Sequence, residues 1–270
     1  ISIINHLQSL GDEDILIMTD ANVIFRPDTL FELVKYFKDP RTGIVAANIM
    51  KVSHSNEGIA FQEKKYLSLE NRIKAGESNA FNLIMGAEGG CYAIRNNLFS
   101  KVPLKFNVDD FFITMQVITR GKFTLFNSKA VCLEDVPGDT EGEFRRKVRI
   151  SSGNFQNLFF FKGMLLTFWR PLAFCFWSHK VFRWFTPFFL LISLFSSALL
   201  ALYQPVFWYL VLVQLFAMLM PAFNHLIGFK NQFLRFISHF YLMNFALLQG
   251  FFRFTKGIQS SIWQPIKRDV

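Results

Sequence analysis

The sequence predicts an α/β domain built on a mostly parallel sheet, followed by interfacial and then transmembrane α-helices. Ile15-Leu16-Ile17-Met18, an unbroken apolar run flanked by acids and stopped at Asp20, reads as a strand covered on both faces. A helical stripe and a second apolar run, Ile44 to Met50, follow it, and the order strand, helix, strand describes a βαβ unit with parallel strands. Asp and Glu nearly vanish after Glu143 while Phe and Leu accumulate, and 35 of the 270 residues are Phe. A soluble first half therefore gives way to a membrane half.

Taken in order, Ile1 to Gly11 reads as the end of a helix and a loop feeding the first strand. After Val23-Ile24-Phe25, Pro27 and Asp28 mark a helix start, and Leu30, Phe31, Leu33, Val34 and Phe37 carry its stripe as far as Asp39-Pro40. Residues 57–75 read as an amphipathic helix ended by Gly76. Gly86-Ala87-Glu88-Gly89-Gly90 then runs into Cys91 to Arg95; such glycines either let backbone approach a ligand or serve plain turns and bulges. Val108-Asp109-Asp110 opens a helix that Gly121 closes, and two short strands, Lys122 to Phe126 and Lys129 to Leu133, complete the sheet. From Glu141 the pattern is helical and strongly basic through Arg145-Arg146-Lys147-Val148-Arg149-Ile150.

The chain divides into a first domain over 1–154, interfacial helices over 155–184 and membrane helices over 185–270. Asn157 to Trp177 is apolar but broken by Lys162, Gly163, Arg170 and Pro171, which suits helices lying in the bilayer interface. Thr186 to Tyr203 and Val206 to Phe223 approach the ~20 residues a crossing needs. Lys180 and Arg183 precede the first and Lys230 follows the second, so the positive-inside rule puts the first half in the cytosol. A third crossing at Phe236 to Phe252 would export the basic tail Arg253, Lys256, Lys267 and Arg268, so a horizontal or re-entrant helix is expected there, or a crossing whose partner lies outside this sequence, its His239, Asn244 and Gln249 satisfying one another between helices. The net charge of +9 is distributed around these apolar segments, which points to anionic lipid head groups and not to nucleic acid.

Several residues have a chemistry to offer. Asp20 and Asn22, two apart in the turn after a strand, can aim two oxygens at one hard divalent cation that holds a diphosphate, or serve the turn itself. Asp109 and Asp110 sit where a helix dipole favours acids, as an N-cap with a first-turn carboxylate or as a reacting group. Glu88 either touches an acceptor or sugar or polarises a turn. Cys91, Cys132 and Cys175 show neither a disulfide framework nor a CxxC site, and His6, His54, His179, His225 and His239 lack ligand spacing. Ser178-His179-Lys180 reads as an interfacial anchor.

Asp20-Ala21-Asn22, Gly86 to Gly90, Asp109-Asp110 and Arg146 to Ile150, in that order before membrane helices, resemble the membrane-bound family 2 glycosyltransferases with a GT-A fold. The resemblance implies a partial, Rossmann-like GT-A domain whose opening strands, which carry most of the nucleotide-base pocket, are absent or lie upstream. It implies that Asp20 and Asn22 fall on the family's DxD motif and bind Mg²⁺ or Mn²⁺ and the donor diphosphate, with a neutral amide in place of the second carboxylate. Asp110 falls on the catalytic acid of the ED or DD motif, with Asp109 beside it. Arg146 to Ile150 falls on QxxRW, with Arg149 kept and the Trp replaced by Ile150, a departure that leans away from a processive polymerase. Gly86, Glu88, Gly89 and Gly90 fall where an acceptor is met, and Arg149 with Arg146 where the diphosphate is.

The chemistry requires an acceptor hydroxyl deprotonated as it attacks, and Asp110 is the candidate base. One base and direct displacement predict inversion at the anomeric carbon. The expectation is an inverting glycosyltransferase of the cell (inner) membrane, multi-pass with a cytosolic catalytic domain, moving a sugar from a nucleotide-sugar to a lipid-linked or cell-surface glycan in envelope polysaccharide biosynthesis. The alternatives are a processive polysaccharide synthase and a non-catalytic membrane scaffold with a degenerate transferase domain.

Overall fold

The computed structural model describes residues 1–52, 59–135 and 140–257. His54, Lys267 and Arg268 lie outside them. The chain forms two units, Ile1–Gly138 with Gln156–Val181, and Asp139–Phe155 with Phe182–Gly257.

In the first unit the order is α1 (Ser2–Leu10), β1 (Ile15–Thr19), β2 (Val23–Phe25), α2 (Thr29–Val34), β3 (Thr42–Val52), α3 (Ile59–Phe81), β4 (Cys91–Arg95), α4 (Asp109–Thr119) and β5 (Phe123–Asp135). The five strands form one sheet in the order β1-β4-β3-β5-β2. Only β3 and β5 pair in parallel; β1 with β4, β3 with β4 and β2 with β5 are antiparallel. The expected mostly parallel sheet is therefore mixed. β1 and β3 do run the same way, as a βαβ unit requires, but β4 lies between them and opposes both. An apolar run signals burial and carries no information about strand direction. β1 is also an edge of this sheet, and Ile15 to Met18 are half-buried and Thr19 exposed where coverage of both faces was expected.

One face of the sheet is closed by Val45, Ala47 and Ile49 of β3 with Cys91, Ala93, Ala130 and Cys132, against Leu33 of α2, Phe37 just after it and Leu67 of α3. Alternation along a strand puts Tyr92 and Ile94 on the opposite face. Three further expectations are corrected. The stripe after Pro27 is an α-helix only to Val34 and then tightens to a 3₁₀ turn, Lys35–Lys38. Gly76 does not end α3, which runs on to Phe81 because a single interior glycine costs a helix only about 1 kcal/mol; Asn82, at φ 54°, turns the chain instead. The two short strands after Gly121 are one, β5, whose pairing with β3 slips between Ala47↔Asn127 and Asn48↔Val131, a bulge that the sequence shows as the polar Asn127-Ser128 break.

The first unit also holds a 3₁₀ turn at Lys162–Leu166, α6 (Pro171–Cys175) and a π-helical segment, Phe176–Val181. The second unit contains most of α5 (Thr140–Phe160), then α7 (Phe182–Tyr203), α8 (Phe207–Ile227) and α9 (Gln232–Thr255). Among the described residues two helical segments, Pro171–Tyr203 and Phe207–Ile227, are long and apolar enough to cross a membrane, at mean hydropathy 2.1 and 1.8. α7 and α8 are tied by Gln214 Nε2 donating to Ser197 Oγ at 2.9 Å. α9 meets α5 closely: Ser151 Oγ donates to Leu247 O, and a Cβ built on Gly250 would fall 2.3 Å from Ser151 Cβ. Asn244 donates to Phe240 O of its own helix, not to a neighbouring one.

Candidate active site

The site grows from the ends of β1 and α4 and the glycine segment between α3 and β4. Asp20 leaves β1 into a turn closed by Val23 N–H on Asp20 O. Its own N–H donates to Gly90 O at 3.2 Å, and Thr19 Oγ1 donates to the same carbonyl at 3.0 Å. The next amide back, Gly89 N–H, donates to Asp110 Oδ2 at 2.8 Å. Two consecutive glycines thus join the Asp20 turn to the Asp110 carboxylate.

Asp110 does not cap α4. The N-cap is Val108, whose carbonyl accepts from Asn157 Nδ2, and Asp110 instead takes Phe111 N–H on Oδ1 at 2.6 Å while Oδ2 holds Gly89. Thr114 locks the same segment by accepting Ala87 N–H and donating to Asp110 O. Burial, then the neighbouring charge of Asp109, pushes the Asp110 carboxyl up to about 7, against the two N–H donors and the charge of Lys74, which favour the ionised form. A carboxylate placed there is poised to exchange a proton near neutrality. Burial and the charges of Asp110, Asp109 and Asp20 also push the buried Tyr92 hydroxyl well above the usual phenol range.

The glycines have distinct reasons. Gly86 has φ 91° and a Cβ there would meet Phe111 Cδ2 at 2.8 Å, while a Cβ on Gly90 would meet Ile49 Cδ1 at 2.5 Å. Close packing accounts for these two. A Cβ on Gly89 would lie 3.2 Å from Asp110 Oδ2, so the missing side chain leaves the carboxylate room.

Asn22 Nδ2 donates to Glu134 Oε1 at 3.3 Å, which fixes the orientation of the amide and keeps its Oδ1 as the accepting end. Among the described residues no group of three or more His, Cys, Asp or Glu side chains is placed to hold a metal ion. One carboxylate and one amide oxygen in a single turn do fit a hard cation that takes its other ligands from phosphate oxygens and water.

Arg146 and Arg149 are on α5, in the second unit. There Arg146 forms a two-pronged bond to buried Glu143, Nε to Oε2 at 2.9 Å and Nη2 to Oε1 at 3.0 Å, with Lys147 Nζ 3.4 Å from Oε1.

Sequence reasoning missed the polar interior behind the site. On α3, Glu63, Glu70, Lys74 and Glu77 are all buried, at intervals of seven, four and three that lay them on one helical face. Lys74 Nζ lies 3.0 Å from Glu88 Oε1. His179 is no interfacial anchor: it is buried, with Nε2 2.9 Å from Glu70 Oε1 and Nδ1 2.7 Å from Glu77 Oε1, and Lys180 reaches Glu70 Oε1 at 2.6 Å. The heptad-like spacing of those α3 acids was the available signal, and it reads as a solvated face until a cationic partner is known.

No protein-family model matches the sequence, and no curated protein matches it. Among solved structures the chain is similar to a mannosyltransferase, PcManGT from Pyrobaculum calidifontis, in complex with GDP-Man and Mn²⁺, with a TM-score of 0.61 at 17% identity over 93% of this chain. The chain spans 65% of the length of that protein. The likeness shows that the two chains share a fold.

Proposed function

We propose that the chain is part of a membrane-bound, inverting glycosyltransferase of the family 2 type, taking a sugar from a nucleotide-sugar and passing it to a lipid-linked or cell-surface glycan at the cytosolic face of the membrane. The observation that carries this reading is the junction at Gly89-Gly90, which fixes the Asp110 carboxylate and the Asp20 turn through consecutive backbone groups. In this reading Asp110 receives the proton of the acceptor hydroxyl, which its position near neutrality allows. Gly89 N–H and Phe111 N–H each hold one oxygen of the carboxylate and so fix its orientation. Displacement from the side opposite the diphosphate inverts the anomeric carbon. Asp20 and Asn22 would hold Mg²⁺ or Mn²⁺, which would supply charge stabilisation for the departing diphosphate. Arg149, with Arg146, would add cationic stabilisation to the leaving group, and Glu88 with Gly89 would border the acceptor.

The GDP-Man and Mn²⁺ of the mannosyltransferase support a nucleotide-sugar donor and a divalent cation. Two apolar helical segments support membrane association. A panel of nucleotide-sugars, each incubated with the full-length protein in vesicles with and without Mn²⁺ or Mg²⁺, tests the reading. One donor is expected to be turned over only with the cation; turnover of none would favour the scaffold alternative, which the neutral Asn22 already suits.

A further inference from the structure

The strongest feature outside the residues just assigned is the buried ammonium of Lys74. It is 1% exposed, and an isolated lysine at that depth would lose its charge. Burial does oppose the charge here, but Glu88 and Glu70, with Asp110 beyond, outweigh it and hold the ammonium above its ordinary range. Glu70 is already engaged by His179 and Lys180, so the direct ion pair of Lys74 is with Glu88. Glu88 is the residue before Gly89, whose N–H holds Asp110. One buried cation therefore grips the turn from which the Asp110 carboxylate is held.

We propose that Lys74 is a positioning residue for Asp110: its ion pair with Glu88 fixes the turn that delivers the Gly89 N–H, and its charge stands behind the carboxylate. This rests on Asp110 being the base. The groups facing Asp110 are Asp109 on its own helix, Lys74 from α3 and Tyr92 from β4, with Asp20 acting on the same tyrosine. Asp109 and burial favour the protonated acid; Lys74 is the cation that favours the base. Removing it raises the pH at which Asp110 ionises, so the acidic limb of the rate profile moves to higher pH.

The test is the pH profile of sugar transfer for the full chain in vesicles, with Lys74→Met, Lys74→Arg, Glu88→Gln and Asp110→Asn alongside the parent. Lys74→Met is expected to move the acidic limb upward by roughly half a unit or more and to lower kcat with donor KM unchanged, while Lys74→Arg keeps the parental limb. Glu88→Gln, a milder change at a half-buried residue, is expected to speed hydrogen exchange at the Gly89 amide and to lower kcat about tenfold, a small part of the span a positioned base controls. A parental limb in Lys74→Met, or parental exchange and kcat in Glu88→Gln should Lys74→Met not fold, overturns the proposal. Parental transfer by Asp110→Asn would instead overturn the base assignment beneath it.

Discussion

α3 and α7 are nearly equal in length, 23 and 22 residues, and invert each other's chemistry. α3 carries glutamates and a lysine, and buries Glu63, Glu70, Lys74 and Glu77. α7 is a run of Phe, Leu and Ile and exposes Phe189, Ile192, Phe195, Leu199 and Leu202. In water the second pattern would be an unpaid liability, since contiguous exposed apolar surface of this kind marks an interaction face. Lipid removes the liability, because acyl chains are as apolar as leucine. The difference teaches that the solvent of each helix is read from how polar its surface is once partners are counted. α3 excludes solvent by pairing every buried acid it shows with a cation or a backbone N–H, and α7 needs no such pairing.

Five changes would break or sharpen that contrast. The largest is in the polar interior: His179→Leu takes away an imidazole that meets both Glu70 and Glu77, and should cost about 3–5 kcal/mol, read as a fall in the unfolding midpoint of the detergent-solubilised protein. A neutral result would mean that Lys180 on Glu70 and the Met85 N–H on Glu77 suffice without the imidazole. Next, Ile192→Asp on the exposed side of α7 should oppose membrane insertion by about 2.5–3.5 kcal/mol, seen as a smaller fraction resisting alkaline extraction. A soluble helix would accept that aspartate readily.

Smaller effects come from the glycines. Gly86→Ala meets Phe111 at a positive φ, and Gly250→Ala drives a methyl into Ser151; each should cost about 1–3 kcal/mol in its own unit. Thermal unfolding followed by separate probes in the two units should show each loss locally. The last is a pH effect. Asp110 binds a proton more tightly in the folded chain than unfolded, so it contributes stability below its unfolded value that is lost as pH rises toward about 7. The midpoint of Asp110→Asn, measured relative to the parent, should therefore climb between about pH 4 and pH 7 and then level off; a flat difference would show that Asp110 is not perturbed.

The elements of the first half were largely legible because strands and helices announce themselves by period and punctuation. Gly121, at φ 69°, ends α4 as its position suggests, and Gly86 turns as its freedom allows. Pairing was not legible: β4 enters between β1 and β3, and nothing local in Cys91 to Arg95 says so. The meeting of Thr19 and the Asp20 turn with the glycine segment, and of that segment with Asp110, was not legible, since separations in sequence of 71 and 21 residues carry no local trace. Lys74 stayed hidden for the opposite reason. Its neighbours on α3 look like a wet face, and partners such as His179, Lys180 and Glu88, each distant in sequence or across a loop, make that face dry.

Sugar transfer by Asp110→Asn, in the full chain and with the donor that the parent turns over, addresses the centre of the account. Loss of roughly 10²–10⁴-fold in kcat with unchanged membrane insertion is the predicted result. Transfer at the parental rate would contradict it, because the carboxylate held by Gly89 and Phe111 would then have no part in taking the acceptor proton.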